Sequence, residues 1–157
     1  MSKLIIYYSL SNNTQEAAEY LARELGADLS RIELVKPMPD DFKKQILVGG
    51  MQSTFNMTPK IKGVPSNIDE YEEIIVGGPI WAGKIAAPIN TFIKKYHIAE
   101  KVTAVFTCSG GGDNDKCIAL LEKILPNMKA NVPLADRSHN TAVDNIEKLK
   151  NFVEVIR

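Results

Sequence analysis

Apolar and polar positions along this chain follow two distinct rhythms. Segments 3–8, 31–35, 73–76 and 102–107 are short and rich in Ile and Val, as strands buried on both faces are. Between and after them the apolar residues recur at helical spacing. Ala17, Ala18, Leu21, Ala22 and Leu25 share one face, and Gly26 stands where a left-handed helix cap belongs. Pro88 opens a helix that carries Ile89, Phe92, Ile93 and Tyr96 inward. Cys117, Leu120, Leu121, Ile124 and Leu125 make another stripe, stopped before Pro126. The last helix starts at a capping box, Thr141-Ala142-Val143-Asp144, and buries Val143, Ile146, Leu149, Val153 and Ile156. A fifth strand is predicted at 131–134, where Pro133 marks an edge.

The pattern is weakest over 36–67. A short helix is predicted at 41–48, followed by Gly49-Gly50 and a long connection to residue 65. Such a connection is uncommon in a compact domain unless it covers a site or packs as an irregular layer. No repeat, low-complexity tract or boundary interrupts the alternation. It predicts an α/β chain, a doubly wound five-stranded parallel sheet with helices on both faces, as one domain over 1–157.

The bulk numbers narrow the function classes. A chain of 157 residues has room for one domain with a proper core. Nineteen basic residues balance nineteen acidic ones, so no net field attracts nucleic acid or an anionic membrane. No segment approaches the roughly 18 apolar residues of a membrane span. The start of the chain lacks the long apolar core of a secretory signal, so a cytoplasmic protein is expected. Cys108 and Cys117 form neither a disulfide framework nor CxxC, and are expected to be small buried residues. His97 and His139 have no metal-ligand spacing, and no metal site is expected.

The chemistry concentrates at the carboxyl ends of three strands, where ligands of doubly wound sheets sit. Strand one empties into Ser9-Leu10-Ser11-Asn12-Asn13-Thr14, and a helix begins there. Helix-start N–H groups without partners, with short side-chain donors beside them, cradle a phosphate. No Lys or Arg lies in that turn, so neutral hydrogen bonds would hold a cofactor monophosphate. Strand three ends in Gly77-Gly78-Pro79-Ile80-Trp81-Ala82-Gly83. There glycines allow close backbone approach to a flat ligand, and the only tryptophan offers a stacking surface. Strand four ends in Thr107-Cys108-Ser109-Gly110-Gly111-Gly112-Asp113, whose backbone groups suit a ligand's polar edge. A flat heteroaromatic ring with a phosphate tail fits all three loops, and FMN is such a molecule.

With these motifs the chain resembles the flavodoxin family over its full length. Residues 9–14 match a hydroxyl-rich first loop of the kind S/T-x-T-G-N-T, with Asn12 replacing the usual glycine; Asn tolerates a left-handed backbone. Residues 69–81 are similar to the flavodoxin-like branch with a G-x-P-x-W second loop, and 106–111 to that branch's third loop. The resemblance implies the strand order 2-1-3-4-5. It implies that Ser9, Ser11, Asn12, Asn13 and Thr14 hold the FMN phosphate. Pro79, Ile80, Trp81, Ala82 and Gly83 would line the isoalloxazine, and Ser109, Gly110 and Gly111 would contact its pyrimidine edge. It implies redox chemistry at the flavin, tuned by the protein. The chain departs from electron-carrier flavodoxins in being formally neutral and in lacking an aromatic residue in the third loop. Met51, Phe55 or Met57 is expected to cover that flavin face, unless it is open to a substrate.

Three functions compete on these grounds. An electron-transferring flavodoxin-like protein, serving a redox partner protein or a small quinone-like acceptor, is the leading expectation. The alternative is an FMN-dependent NAD(P)H:quinone or nitro reductase; no GxGxxG fingerprint marks a resident nicotinamide. A flavin-free partner-binding module is the third. A receiver-type domain ranks last, because Gly77-Gly78-Pro79 offers no acidic phosphoacceptor.

Overall fold

The computed structural model describes residues 2–137 and 140–157. Its parallel sheet is built from β1 (Lys3–Tyr7), β2 (Asp28–Arg31), β3 (Glu73–Trp81), β4 (Val102–Ser109) and β5 (Ala130–Ala135). They lie side by side in the order β2-β1-β3-β4-β5, as expected. The helices are α1 (Asn13–Leu25), α2 (Phe42–Thr54), α3 (Ala87–Lys95), α4 (Asp115–Glu122) and α5 (Asn145–Ile156).

Strand alternation divides the core into two layers. Leu4, Ile6, Ile74, Val76 and Val105 pack on one face with Ile89 and Phe92 of α3 and Leu121 of α4. Ile5, Tyr7, Ile75, Ala104 and Phe106 pack on the other with Ala18 and Leu21 of α1 and Phe152 of α5. Both faces being covered is why these strands read as continuous apolar runs. At the edge, β5 carries Pro133, whose missing N–H needs no ladder partner there.

Four expectations are corrected. The paired part of the second strand is Asp28–Arg31, not 31–35; it is a mostly exposed edge strand with little apolar signal. The apolar signal came from Ile32 and Leu34, buried as the chain crosses to a small ribbon pairing Glu33–Leu34 with Ile61–Lys62. Helix α2 runs through Gly49-Gly50 to Thr54, so the connection behind it is shorter than predicted. In α4 the inward residues are Cys117, Ile118 and Leu121, with Leu125 just beyond it, while Leu120 and Ile124 are 36% and 39% exposed. Finally, 140–144 form a 3-10 turn, and α5 starts only at Asn145. Val143 and Ile146 are exposed at 83% and 55%; Leu149, Val153 and Ile156 are buried as expected, with Phe152. His139 lies outside the described residues.

Candidate functional site

The first loop leaves β1 directly beneath the start of α1. Asn12 caps that helix at φ 69°, in the left-handed region that a glycine or Asn adopts most readily. Its carbonyl accepts the first helical bond, from the Glu16 N–H, at 3.1 Å. The buried Ser9 hydroxyl accepts from the Gln15 N–H at 3.3 Å, and the Asn13 side-chain amide donates to Ser11 Oγ at 3.2 Å. Among the described residues no acceptor meets the backbone N–H groups of Ser11, Asn12, Asn13 and Thr14. Four orphan donors at one helix start are an anion cradle.

The second loop is a hairpin. β3 continues straight through Gly77, Gly78 and Pro79 to Trp81, turns at Ala82 and Gly83 (φ 50° and 77°), and returns as Lys84–Ile85. Two successive positive φ values are what a tight two-residue hairpin requires. Trp81 is half-buried. Tyr8 meets it edge-to-face, with ring centroids 5.7 Å apart, and a Cβ built on Gly49 of α2 would lie 3.1 Å from its ring. The glycine pair in α2 therefore has a packing reason at Gly49. At Gly50 a Cβ would meet nothing within 4 Å, and Gly50 borders the cavity described next. Gly50→Ala is expected to stabilise the fold by about 0.5–1 kcal/mol through helix propensity, whereas Gly49→Ala displaces Trp81 and shifts its fluorescence. Equal melting midpoints and unchanged emission in both variants would refute this assignment.

In the third loop the Ser109 hydroxyl accepts from the Gly112 N–H at 3.0 Å, and Gly112 adopts φ 84°. Gly110 and Gly111 adopt ordinary φ values, and a Cβ on either would project into open space. Neither fold strain nor crowding explains these two glycines.

These loops enclose a cavity of about 440 Å³, within the range of small-molecule sites. Of the predicted site residues, Ser11, Pro79, Ile80, Trp81, Ala82, Ser109 and Gly110 border it directly. Ser9 and Thr14 are buried behind it, Asn13 borders a neighbouring cavity, and Gly83 packs against Lys116. The outer wall is Phe42, Gln45, Ile46 and Gly50 of α2; Met51, Phe55 and Met57 do not border the cavity, which corrects the expected cover.

A family model described as flavodoxin matches residues 2–156. The chain belongs to the flavodoxin family. A crystal structure from Bacteroides eggerthii superposes with TM-score 0.78 at 27% identity, covering 99% of this chain and 97% of that one. A flavoprotein in complex with FMN from Lactobacillus acidophilus gives 0.68 at 25% identity, covering 92% and 97%. A second Bacteroides structure, from Bacteroides uniformis, shares the fold at 21% identity, TM-score 0.72 and coverage of 93% and 97%. No curated protein matches the chain.

Two residues beside this flavodoxin loop have no signal in its local sequence. Arg31, at the end of β2, donates to the Ser9 carbonyl and to Gln15 Oε1, both at 2.8 Å. Arg137, beyond β5, donates to Asn13 Oδ1 through its Nε at 3.2 Å and pairs with Glu16 at 2.7 Å. The turn holds no basic residue, yet the topology brings two guanidinium groups to its flanks. Only the 2-1-3-4-5 order, which sets β2 beside β1 and returns the chain after β5 toward α1, reveals them.

Cys108 borders the cavity and Cys117 lies on the inward face of α4, both buried. Burial pushes each thiol from its ordinary 9.0 up to about 11. Both are thiols at neutral pH, which suits packing and not thiolate chemistry. Unfolded thiols ionise above 9.0 while the folded ones hold their protons, so their stabilising contribution is full below pH 9.0 and is lost as pH rises through about 11. Denaturant melts across that window are expected to lose stability more steeply in the wild type than in Cys108→Ala, and parallel curves would refute the shift.

Proposed function

We propose that this chain binds FMN in the cleft and transfers electrons through the flavin. The observation that carries the reading is one cavity bordered by all three loops: Ser11 with its orphan N–H from the first, Trp81 of the hairpin, and the uncrowded Gly110 of the third. Family membership and the FMN complex of the Lactobacillus acidophilus relative support it. Bound there, the flavin supplies a centre that accepts and releases electrons or hydride.

The residues have distinct tasks. Ser11, Asn12, Asn13 and Thr14 offer backbone donors to the phosphate, and Ser9 holds the loop by capping Gln15. Pro79, Ile80, Trp81 and Ala82 line the ring, with Gly83 turning the hairpin behind them and Trp81 held by Tyr8 and Gly49. Ser109, Gly110 and Gly111 present backbone groups to the ring's polar edge; the Ser109 hydroxyl is committed to keeping that loop in shape. Phe42 and Ile46 shield the outer side from water, although they stand 72% and 60% exposed. The electrons pass to a redox partner protein or a small quinone-like acceptor in this reading. The whole of 1–157 acts as one domain in this reading.

The test is the visible spectrum of the purified protein with added FMN, followed through stepwise anaerobic reduction. Failure to bind FMN overturns the reading. Two separated one-electron steps and negligible reduction by NADPH favour electron transfer between proteins. A single two-electron step with rapid NADPH oxidation moves the function to the reductase.

A further inference from the structure

A second cavity, of about 270 Å³, shares no lining residue with the flavin cleft. It lies where the C-terminal end of α2, the return strand Lys84–Ile85, α3 and α4 meet. Its floor is apolar, from Ile85, Cys117 and Leu121. Leu120 and Ile124, the two residues of the α4 stripe that the fold leaves partly exposed, form its side. Lys84, Lys94 and Lys123 border it, and no bordering residue is acidic. Lys84 is tied to Asn56 Oδ1 at 3.0 Å, whereas Lys94 and Lys123 meet no carboxylate among the described residues.

The wall from α2 adds an independent observation. Among the described residues Gln52 Oε1 and Ser53 Oγ are buried with no hydrogen-bond partner, and Ser53 is 3% exposed. Both residues border this cavity. A helical serine ordinarily turns its hydroxyl back to a carbonyl of the preceding turn; here it does not. Buried polar groups left without partners are rare in native proteins and call for an explanation. Two adjacent ones beside the same cavity are explained together if an occupant completes them, the Gln52 amide and the Ser53 hydroxyl each turning about side-chain torsions to reach it, since neither atom faces the cavity directly.

We infer that this cavity is a second binding site, for a small organic carboxylate with an apolar or aromatic body and a hydroxyl group. The carboxylate faces Lys94 and Lys123, the body lies on Leu120, Leu121 and Ile124, and the hydroxyl meets Gln52 and Ser53. Each part answers a different feature: cations without a carboxylate among the described residues, an apolar side left partly exposed at Leu120 and Ile124, and orphan polar atoms. The site stands independently of what the flavin cleft holds.

The experiment titrates ¹⁵N-labelled full-length protein, with and without FMN, with 4-hydroxyphenylacetate, phenylacetate and the uncharged 4-hydroxybenzyl alcohol. Saturable shifts at the Ser53, Ile85 and Ile124 amides are expected with the two acids, tighter with the hydroxylated one. The combined Lys94→Gln and Lys123→Gln variant is expected to weaken both acids roughly tenfold, as loss of charge-assisted contacts does. Ser53→Ala is expected to keep or raise the melting temperature and to abolish the advantage of the hydroxylated acid. No saturable shift at millimolar acid overturns the inference. So do shifts confined to Ser11 and Gly110, or an unchanged response in the lysine variant. A lower melting temperature in Ser53→Ala also overturns it, because the hydroxyl would then have a partner such as an ordered water.

Discussion

Gly77→Ala is expected to destabilise this flavodoxin-family protein by about 3 kcal/mol, at the upper end of overpacking costs. Gly77 sits inside β3, paired with Tyr7 of β1 and Phe106 of β4, and its carbonyl accepts from the Tyr8 N–H at 3.1 Å. A Cβ there would lie 2.0 Å from the Phe106 ring, with two further ring atoms at 2.2 and 2.4 Å. Phe106 is fully buried among side chains from both α1 and α5, so its ring has nowhere to go. The strand would have to shift, and the strand leads directly into the hairpin that carries Trp81. A loss of that size is a large share of the roughly 5–15 kcal/mol that holds a domain together. Denaturant unfolding measures it. Phe106→Leu in the same chain is expected to recover much of the loss, since the shorter side chain vacates the contested volume. A single variant within about 0.5 kcal/mol of wild type, the range of uneventful surface changes, would show that the close approach is not real.

That glycine also shows where sequence reasoning stops. Gly77-Gly78-Pro79 looked like a loop because glycine and proline punctuate chains. In the fold they are strand, and the first two are small because Phe106 and Ile89 lie against them. A contact between residues 29 positions apart leaves no local trace. The parallel sheet, its order and the three chemical loops were legible because buried strands and strand-end turns have local signatures. Asn12 was legible for the same reason: a left-handed position constrains its own residue. By contrast, β2 is exposed, and the apolar pattern points past it to buried Ile32 and Leu34. Local propensity ends helix α2 at Gly49-Gly50, whereas in the fold these glycines answer to Trp81 and to the cavity. Its exposed Phe42 and Ile46 likewise gave no core pattern, although they wall the cleft.

Removing the phosphate from the cofactor is expected to weaken binding by about a hundredfold or more, so that riboflavin binds far less tightly than FMN. Four backbone N–H groups, on Ser11, Asn12, Asn13 and Thr14, lack acceptors among the described residues. Each bond to a charged acceptor contributes about 1.5–3 kcal/mol, so two of them suffice for that factor. The flanking arginines set the remainder. Arg137 holds Asn13 by its side-chain oxygen, yet its charge is offset by Glu16 at 2.7 Å, and both side chains are more than half exposed. The ion pair itself therefore contributes little to stability. Its weight falls on the anion: Glu16 stands in the first turn of α1, where its carboxylate opposes a phosphate. Glu16→Gln is expected to tighten FMN several-fold at low salt, and Arg137→Gln to weaken it by a similar factor, with riboflavin unmoved in both. Fluorescence titrations of the two flavins at low and high salt measure all three effects. Equal affinity of the wild type for FMN and riboflavin would remove the phosphate from this loop. Parallel changes for the two flavins would instead assign Glu16 and Arg137 to the shape of the loop, and not to its charge.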